Sequence, residues 1–189
     1  MTQIPMAAME ADWSEDGLER DLVVRARHDR EAFAALYRRH YRAVAGYVYR
    51  RVGDAHVTED LVAETFLAAM RSIGGYRSRG VPLRAWLYRI ATNVVNRWAK
   101  RRRNVSRQED DAAKAAGFSA IRGGEVDAEM ARRGLLRLPP NQQAVIALHY
   151  LEGLPLEDVA FVLGCRVGTV KSRLFRGREA LREMLSNGR

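Results

Sequence analysis

The chain has 189 residues, a formal charge of +9 and a sequence pI of about 10.3. That length allows one or two modest domains, each with a core of its own, and the basic balance favours a polyanionic partner, either nucleic acid or an acidic membrane surface. A single cysteine, Cys165, excludes an internal disulfide, and four scattered histidines with no second cysteine at ligand spacing argue against a metal centre.

The charge is uneven. Residues 1–19 carry five acids (Glu10, Asp12, Glu15, Asp16, Glu19) and no lysine or arginine, so subtracting them leaves +14 on the remainder. This segment reads as a flexible acidic tail. It has no basic n-region followed by an apolar stretch, so no signal peptide is expected. No apolar run is long enough to span a bilayer, and the protein is expected to be cytoplasmic, with no membrane insertion.

Beyond the tail, alternating strand patterns are absent and helical ones recur. Residues 20–28 predict a short helix. From Arg30 to Val52, the positions Phe33, Leu36, Tyr37, Tyr41, Val44, Val48 and Val52 recur at threes and fours, which makes one helix face. Gly53 ends that helix, and Asp54 is placed to cap the next. That next helix, about 55–73, is expected to bury Val57, Leu61, Phe66, Met70 and Ile73, with Gly74-Gly75 stopping it. The stretch GGYRSRGVP, 74–82, is a basic loop, and Pro82 suits a helix start. In LRAWLYRIATNVVNRWAKRRR, 83–103, one face carries Leu83, Trp86, Leu87, Ile90, Val94 and Trp98. The other carries mostly Tyr88, Arg89, Thr92, Asn93, Asn96 and Arg97.

Residues 104–127 lose the amphipathic pattern and read as a flexible linker. A short helix is expected at 128–137, followed by a break at LPP. NQQAVIALHYLEG, 141–153, is a helix with Val145, Leu148 and Leu151 inward; PLEDVAFVLG, 155–164, is a second; CRVGTVKSRLFRGREALREML, 165–185, is a third. The fold class is therefore all-α, with two small helical domains, 20–103 and 128–185, on either side of the linker.

The last two helices meet across a tight Gly164-Cys165 turn. The shorter is expected to bury Leu156, Val159, Ala160 and Leu163. The longer has a seam of Val170, Leu174, Gly177, Leu181 and Leu185, and opposite it stand Lys171, Ser172, Phe175, Arg176 and Arg178. A basic, acid-free face opposite an apolar seam fits a helix-turn-helix whose second helix enters the major groove. Arginine grips guanine through two acceptors and phenylalanine presses on a thymine methyl; Arg173, flanking the seam, suits a phosphate. The competing reading is a helical hairpin with a solvated basic face. In the first unit, Tyr76 in the loop is the candidate for stacking on a single-stranded base, whereas Trp86 and Trp98 lie on the apolar face as core. Arg89, Asn93, Asn96 and Arg97 form a polar stripe that fits either DNA or water. Asp60 and Glu64, one turn apart, form either a solvated acidic face or a patch for a basic protein.

Taken in order, DLVAETFLAAM (60–70), RAWLYRIATNVVNRWAKRRR (84–103) and LPPNQQAVIALHYLEGLPLEDVAFVLGCRVGTVKSRLFRGREALRE (138–183) resemble the extracytoplasmic-function (ECF) sigma factors of bacterial RNA polymerase. The resemblance implies two helical domains, regions 2 and 4. It implies docking of Asp60, Glu64 and Leu67 on the clamp helices of the polymerase β′ subunit. It also implies recognition of the −10 element and capture of a flipped base by Tyr76, Arg77, Arg79, Arg89, Asn93 and Arg97, with the basic run 100–103 on upstream phosphates. Region 4 would read the −35 element through Lys171, Ser172, Arg173, Phe175 and Arg176 and pack on the β flap. The implied partners are core RNA polymerase and promoter DNA, duplex and single-stranded, with room for an anti-sigma factor; no cofactor is implied. The chain departs from the family at Ala63, where glutamine is frequent, and at Arg166, where proline is frequent. Three alternatives remain at this level: a response-regulator-type transcription factor, a nucleic-acid enzyme and a protein-interaction adaptor. The enzyme is disfavoured because no phosphate loop, metal-ligand cluster or oriented nucleophile is found.

Overall fold

The computed structural model describes residues 15–77, 80–106 and 133–186, and every regular element among them is helical. The first unit comprises α1 (Glu15–Arg25), α2 (Arg30–Val52), α3 (Ala55–Ser72), a 3₁₀ turn (Ile73–Gly75) and α4 (Leu83–Ser106). The second opens with a helical stretch at 133–137. It continues with α5 (Pro140–Ile146), a π-turn (Ala147–Leu151), α6 (Leu156–Leu163) and α7 (Val167–Ser186).

The helix ends follow from local chemistry. Asp29 and Asp54 both sit in extended backbone, and their carboxylates accept from Glu31 N at 2.8 Å and Val57 N at 2.9 Å, satisfying amides that a helix start leaves orphaned. Gly53 at φ 78° and Gly164 at φ 60° end α2 and α6 in the left-handed region, where a Cβ would be strained. Two residues thus turn the chain from α2 into α3.

The core of the first unit lies where α2, α3 and α4 converge: Leu36, Val44, Tyr47 and Val48 meet Leu61, Val62, Phe66 and Ala69, and Leu87, Ala91, Val94 and Val95. Each such valine, leucine or phenylalanine side chain contributes about 1.5–3 kcal/mol when fully withdrawn from water. In the second unit, α5 and α6 pack on α7. The α7 seam is as the spacing predicts: Val170 is fully buried and Leu174 and Gly177 are buried with it.

Several faces differ from the periodic reading. Met70 is 43% exposed, because Val62, Thr65 and Ala69 take the core positions and rotate Met70 to the rim. Tyr37 is 39% exposed, with its ring edge against Phe66. Leu151, expected inward, is 51% exposed. The cause is the π-turn, in which Glu152 N bonds Ala147 O five residues back and the extra residue swings Leu151 outward. The acidic tail does not extend to residue 19. Helix α1 starts at Glu15, and Glu19 Oε1 lies 2.8 Å from His40 Nε2 and 3.5 Å from Arg39. Most of the linker, and residues 1–14 of the tail, lie outside the described residues.

The two units touch. Helix α6 lies along α4, and α5 and the π-turn rest on α2. Tyr88 and Thr92, assigned from periodicity to the polar face of α4, are buried because Tyr47 of α2 meets both and Glu152 of the second unit meets Tyr88.

Candidate nucleic-acid interface

On α7 the burial of Val170, Leu174 and Gly177 fixes which side faces out. Lys171, Ser172, Phe175 and Arg176 stand on that side, Phe175 with 61% of its surface in water. Ser172 Oγ donates back to Thr169 O at 3.0 Å, a bond within the helix that leaves its lone pairs outward. Arg173 is part-buried, its Nη1 reaching Cys165 Sγ at 3.9 Å across the turn. Arg178 leans on the Tyr150 hydroxyl at 3.3 Å, which ties α7 to the π-turn.

In the first unit the polar stripe of α4 is divided. Asn93 and Arg97 are exposed, and Arg97 Nη2 holds Glu64 Oε1 of α3 at 2.9 Å. A side chain assigned to DNA and one assigned to a protein partner are thus paired with each other. The pair is about half exposed and is worth no more than about 1 kcal/mol, so either partner can release it cheaply. Asp60 and Leu67 are exposed on the same flank of α3, Leu67 at 48%. Arg89 carries the Phe161 ring of α6 against its guanidinium, 4.8 Å from the ring centre, a cation–π contact.

The loop after α3 overturns one expectation. Tyr76 does not offer its ring to a base: it is only 5% exposed, lies 5.1 Å from the Trp86 ring, and its hydroxyl donates to Val81 O at 2.7 Å. A tyrosine whose hydroxyl closes its own loop is a wall of that loop. The exposed Arg77 folds back to Gly74 O at 2.9 Å, and Arg79 lies outside the described residues. Between this loop and α1 is a cleft of about 540 Å³, lined among others by Val23, Arg27, Tyr76, Val81 and Leu83. Arg27 Nη2 donates to Tyr76 O at 3.1 Å, while its Nε is buried without a hydrogen-bond partner.

Sequence reasoning missed a polar cluster between the units. Glu152, 6% exposed, follows the π-turn. Its carboxylate meets the Arg50 guanidinium of α2, accepts from the Tyr88 hydroxyl of α4, and lies 3.5 Å from Arg84 of α4; Arg84 also donates to the Glu152 carbonyl. Burial drives the Tyr88 phenol upward from its ordinary value, outweighing the lowering by the Arg84 hydrogen bond, so it stays a donor at neutral pH. Beside it the buried Arg51 of α2 donates to Gln143 Oε1 at 2.9 Å, to the Tyr47 hydroxyl at 2.8 Å and to Asn96 Oδ1 at 3.2 Å. Tyr47 shares a 2.7 Å bond with Thr92. The available signal was weak: three arginines, a glutamate and a glutamine scattered over separate helical stretches.

Among the described residues no cluster of three or more candidate metal ligands occurs, and no helix is long and apolar enough to cross a membrane. Residues 36–105 match Sigma-70 region 2 and residues 128–181 match Sigma-70 region 4. The chain is 33% identical over 172 residues to the RNA polymerase sigma-H factor of Pseudomonas aeruginosa, covering 84% of this chain and 89% of that one. It is 35% identical over 169 residues to the ECF RNA polymerase sigma-E factor of Salmonella typhimurium, covering 81% and 86%. The chain belongs to the ECF sigma factors. Among solved structures, this sigma factor superposes with a TM-score of 0.70 and 27% identity on the sigma factor RpoE from Bartonella quintana, crystallised with the anti-sigma factor NepR, over 83% of this chain and 98% of that one. That coverage is more than either unit alone supplies. As an ECF sigma factor it is a non-enzymatic initiation factor that directs promoter recognition by RNA polymerase.

Proposed function

We propose that this sigma factor, acting in the cytoplasm, reads its promoter with two separate heads. The unit spanning 128–185 takes the −35 element as intact duplex, with Lys171, Ser172, Phe175 and Arg176 at base edges and Arg173 on phosphate. The unit spanning 20–103 takes the −10 element as separated strands through Arg77, Arg79, Arg89, Asn93 and Arg97. Asp60, Glu64 and Leu67 seat it on the β′ clamp helices, and region 4 rests on the β flap. The observation that carries this reading is the division of α7 into a buried seam and an exposed basic face with a solvated Phe175 at its centre. A bare phenylalanine there is an apolar contact for a thymine methyl. The cleft that α1 forms with Tyr76 and the 80–83 segment supports base capture: it is concave and mostly apolar. Tyr76 is its wall and not a stacking platform.

Extruding a base costs a few kcal/mol. Holding both heads on one polymerase offsets this, because the second contact becomes intramolecular. Since the superposing RpoE was solved with an anti-sigma factor, an anti-sigma partner for this chain is part of the proposal. The deciding experiment mixes purified protein with core RNA polymerase and maps run-off transcripts from genomic fragments. Defined start sites that depend on the added chain are expected. Start sites unchanged from core polymerase alone would refute the reading.

A further inference from the structure

We propose that Arg178 is a further DNA contact, a clamp on a backbone phosphate of the duplex, and that Tyr150 is the residue that positions it. The proposal deepens the reading of α7 as the duplex-reading helix and rests on it. At 3.6 residues per turn each residue advances about 100° around the helix axis, so Arg178 stands about 140° from Arg173. The shorter arc between them holds Val170, Leu174 and Gly177, the buried seam. The longer arc holds Ser172, Phe175 and Arg176, all exposed. The two arginines therefore mark opposite borders of the reading face. A helix about 10–12 Å across fills a major groove about 12 Å wide, so each border meets the backbone of a different strand. Arg173 serves one border and Arg178 the other.

The surroundings of Arg178 set its direction. Its Nη1 donates to the Tyr150 hydroxyl at 3.3 Å. Tyr150 is held in turn: its ring stands edge-on to His149, 4.8 Å between ring centres and 62° between planes. His149 Nδ1 lies 2.8 Å from Leu154 O, which makes that nitrogen the donor, since a carbonyl only accepts. The contacts thus run without a gap from the residues before α6, through the π-turn, to the flank of α7. Glu179, the acid next to Arg178 in the chain, pairs with Arg182 at 3.1 Å. Arg178 itself is exposed. A guanidinium has five N–H donors, and the bond to Tyr150 uses one, leaving the rest for an anion. Phosphate oxygens match that planar fork. An arginine aimed before its ligand arrives loses less side-chain freedom on binding, which strengthens the contact.

The test uses the full chain assembled with core RNA polymerase, and short duplexes: the best-bound sequence selected from a randomised pool, and its single-base variants. Arg178→Ala should lower affinity for all of them by the same factor. It should also flatten the plot of log affinity against log salt by about 0.9, the value of one phosphate. A fourfold rise in salt should then cost the parent about threefold more affinity than the variant. Arg178→Lys keeps the charge and should keep the slope. Tyr150→Phe keeps the ring and leaves the guanidinium charged, so it should keep the slope and lower affinity uniformly by about two- to tenfold, the range for one hydrogen bond. In the Arg178→Ala background that loss should vanish, whereas a packing role for Tyr150 would persist there. An unchanged slope in Arg178→Ala, with helical content intact by circular dichroism, would overturn the phosphate contact. Parent-like affinity in Tyr150→Phe, or a loss that survives in the double variant, would overturn the positioning role. Arg176→Ala separates the base reading, because it should relax preference at one base position. If it relaxes none, or the pool yields no preferred sequence, the base reading has failed, and the slope of Arg178→Ala on the pool itself still decides the phosphate contact.

Discussion

Gly177 offers the most exacting test of how the duplex-reading helix is seated. It lies on the buried seam of α7, and a Cβ there would fall 3.1 Å from Ile146 Cγ1, 3.4 Å from Ile146 Cδ1 and 3.5 Å from Gln142 Cβ. Alanine in a helix interior gains about 1 kcal/mol over glycine. Against this, Ile146 is only 5% exposed and must yield by a few tenths of an ångström. The two effects nearly cancel, so Gly177→Ala should unfold within about 1 kcal/mol of the parent. Valine adds two further carbons where the first already presses on Ile146, and overpacking of this kind costs about 1–3 kcal/mol. Urea unfolding monitored by circular dichroism gives the stabilities. Because Gln142 Cβ is fixed to the backbone of α5, relief comes from tilting α7, which displaces Phe175 and Arg176. Gly177→Val should therefore lose promoter-directed transcription more steeply than core-polymerase binding. A valine variant as stable as the parent would show that α5 and α7 are not in close contact at this position.

Replacing Asp60 and Glu64 by arginine should abolish core-polymerase binding with helicity retained. Because Glu64→Arg also confronts Arg97, Asp60→Arg alone serves as the control, and normal binding by both variants would cancel the docking assignment. Arg176→Ala should weaken −35-dependent transcription by about 1–3 kcal/mol equivalent, the worth of one bidentate base contact, and leave polymerase affinity unchanged; equal losses would remove its reading role. The hydrogen bond from His40, joined by the charges of His40 and Arg39, holds the Glu19 carboxyl below its ordinary value against the opposing effect of burial. A depressed carboxyl stabilises the fold above its unfolded pKa, and that contribution disappears as pH falls through the folded value. Parent and Glu19→Gln should thus differ in thermal stability at pH 7 and converge in acid; a gap that persists at low pH would assign the effect to packing.

What the sequence disclosed and what it hid divide along a physical line. Local signals were legible: glycines at 53 and 164, the cap at Asp54, the α7 seam with Lys171, Phe175 and Arg176 opposite. Each of these depends on neighbours within a turn or two. Periodicity also locates one buried stripe per helix, and it failed where a helix has two. Tyr88 and Thr92 sit on the side of α4 that a solvated helix would leave wet, and they are dry because of packing against α2 and the second unit. Tyr76 was misjudged for the related reason that a short loop can bury its own aromatic by bonding back to Val81. The Arg51–Gln143 bond joins residues 92 positions apart, a separation at which pattern reading has no purchase. Leu151 was lost to a single π-turn that shifts the helical phase by one residue.

The join at Gly53 and Asp54 has a mechanical consequence. With the left-handed glycine closing one helix and the aspartate starting the next, no further residue separates them. The angle at which α3 leaves α2 is therefore set by two backbone positions, and a side chain at residue 53 would strain the one that reverses the chain.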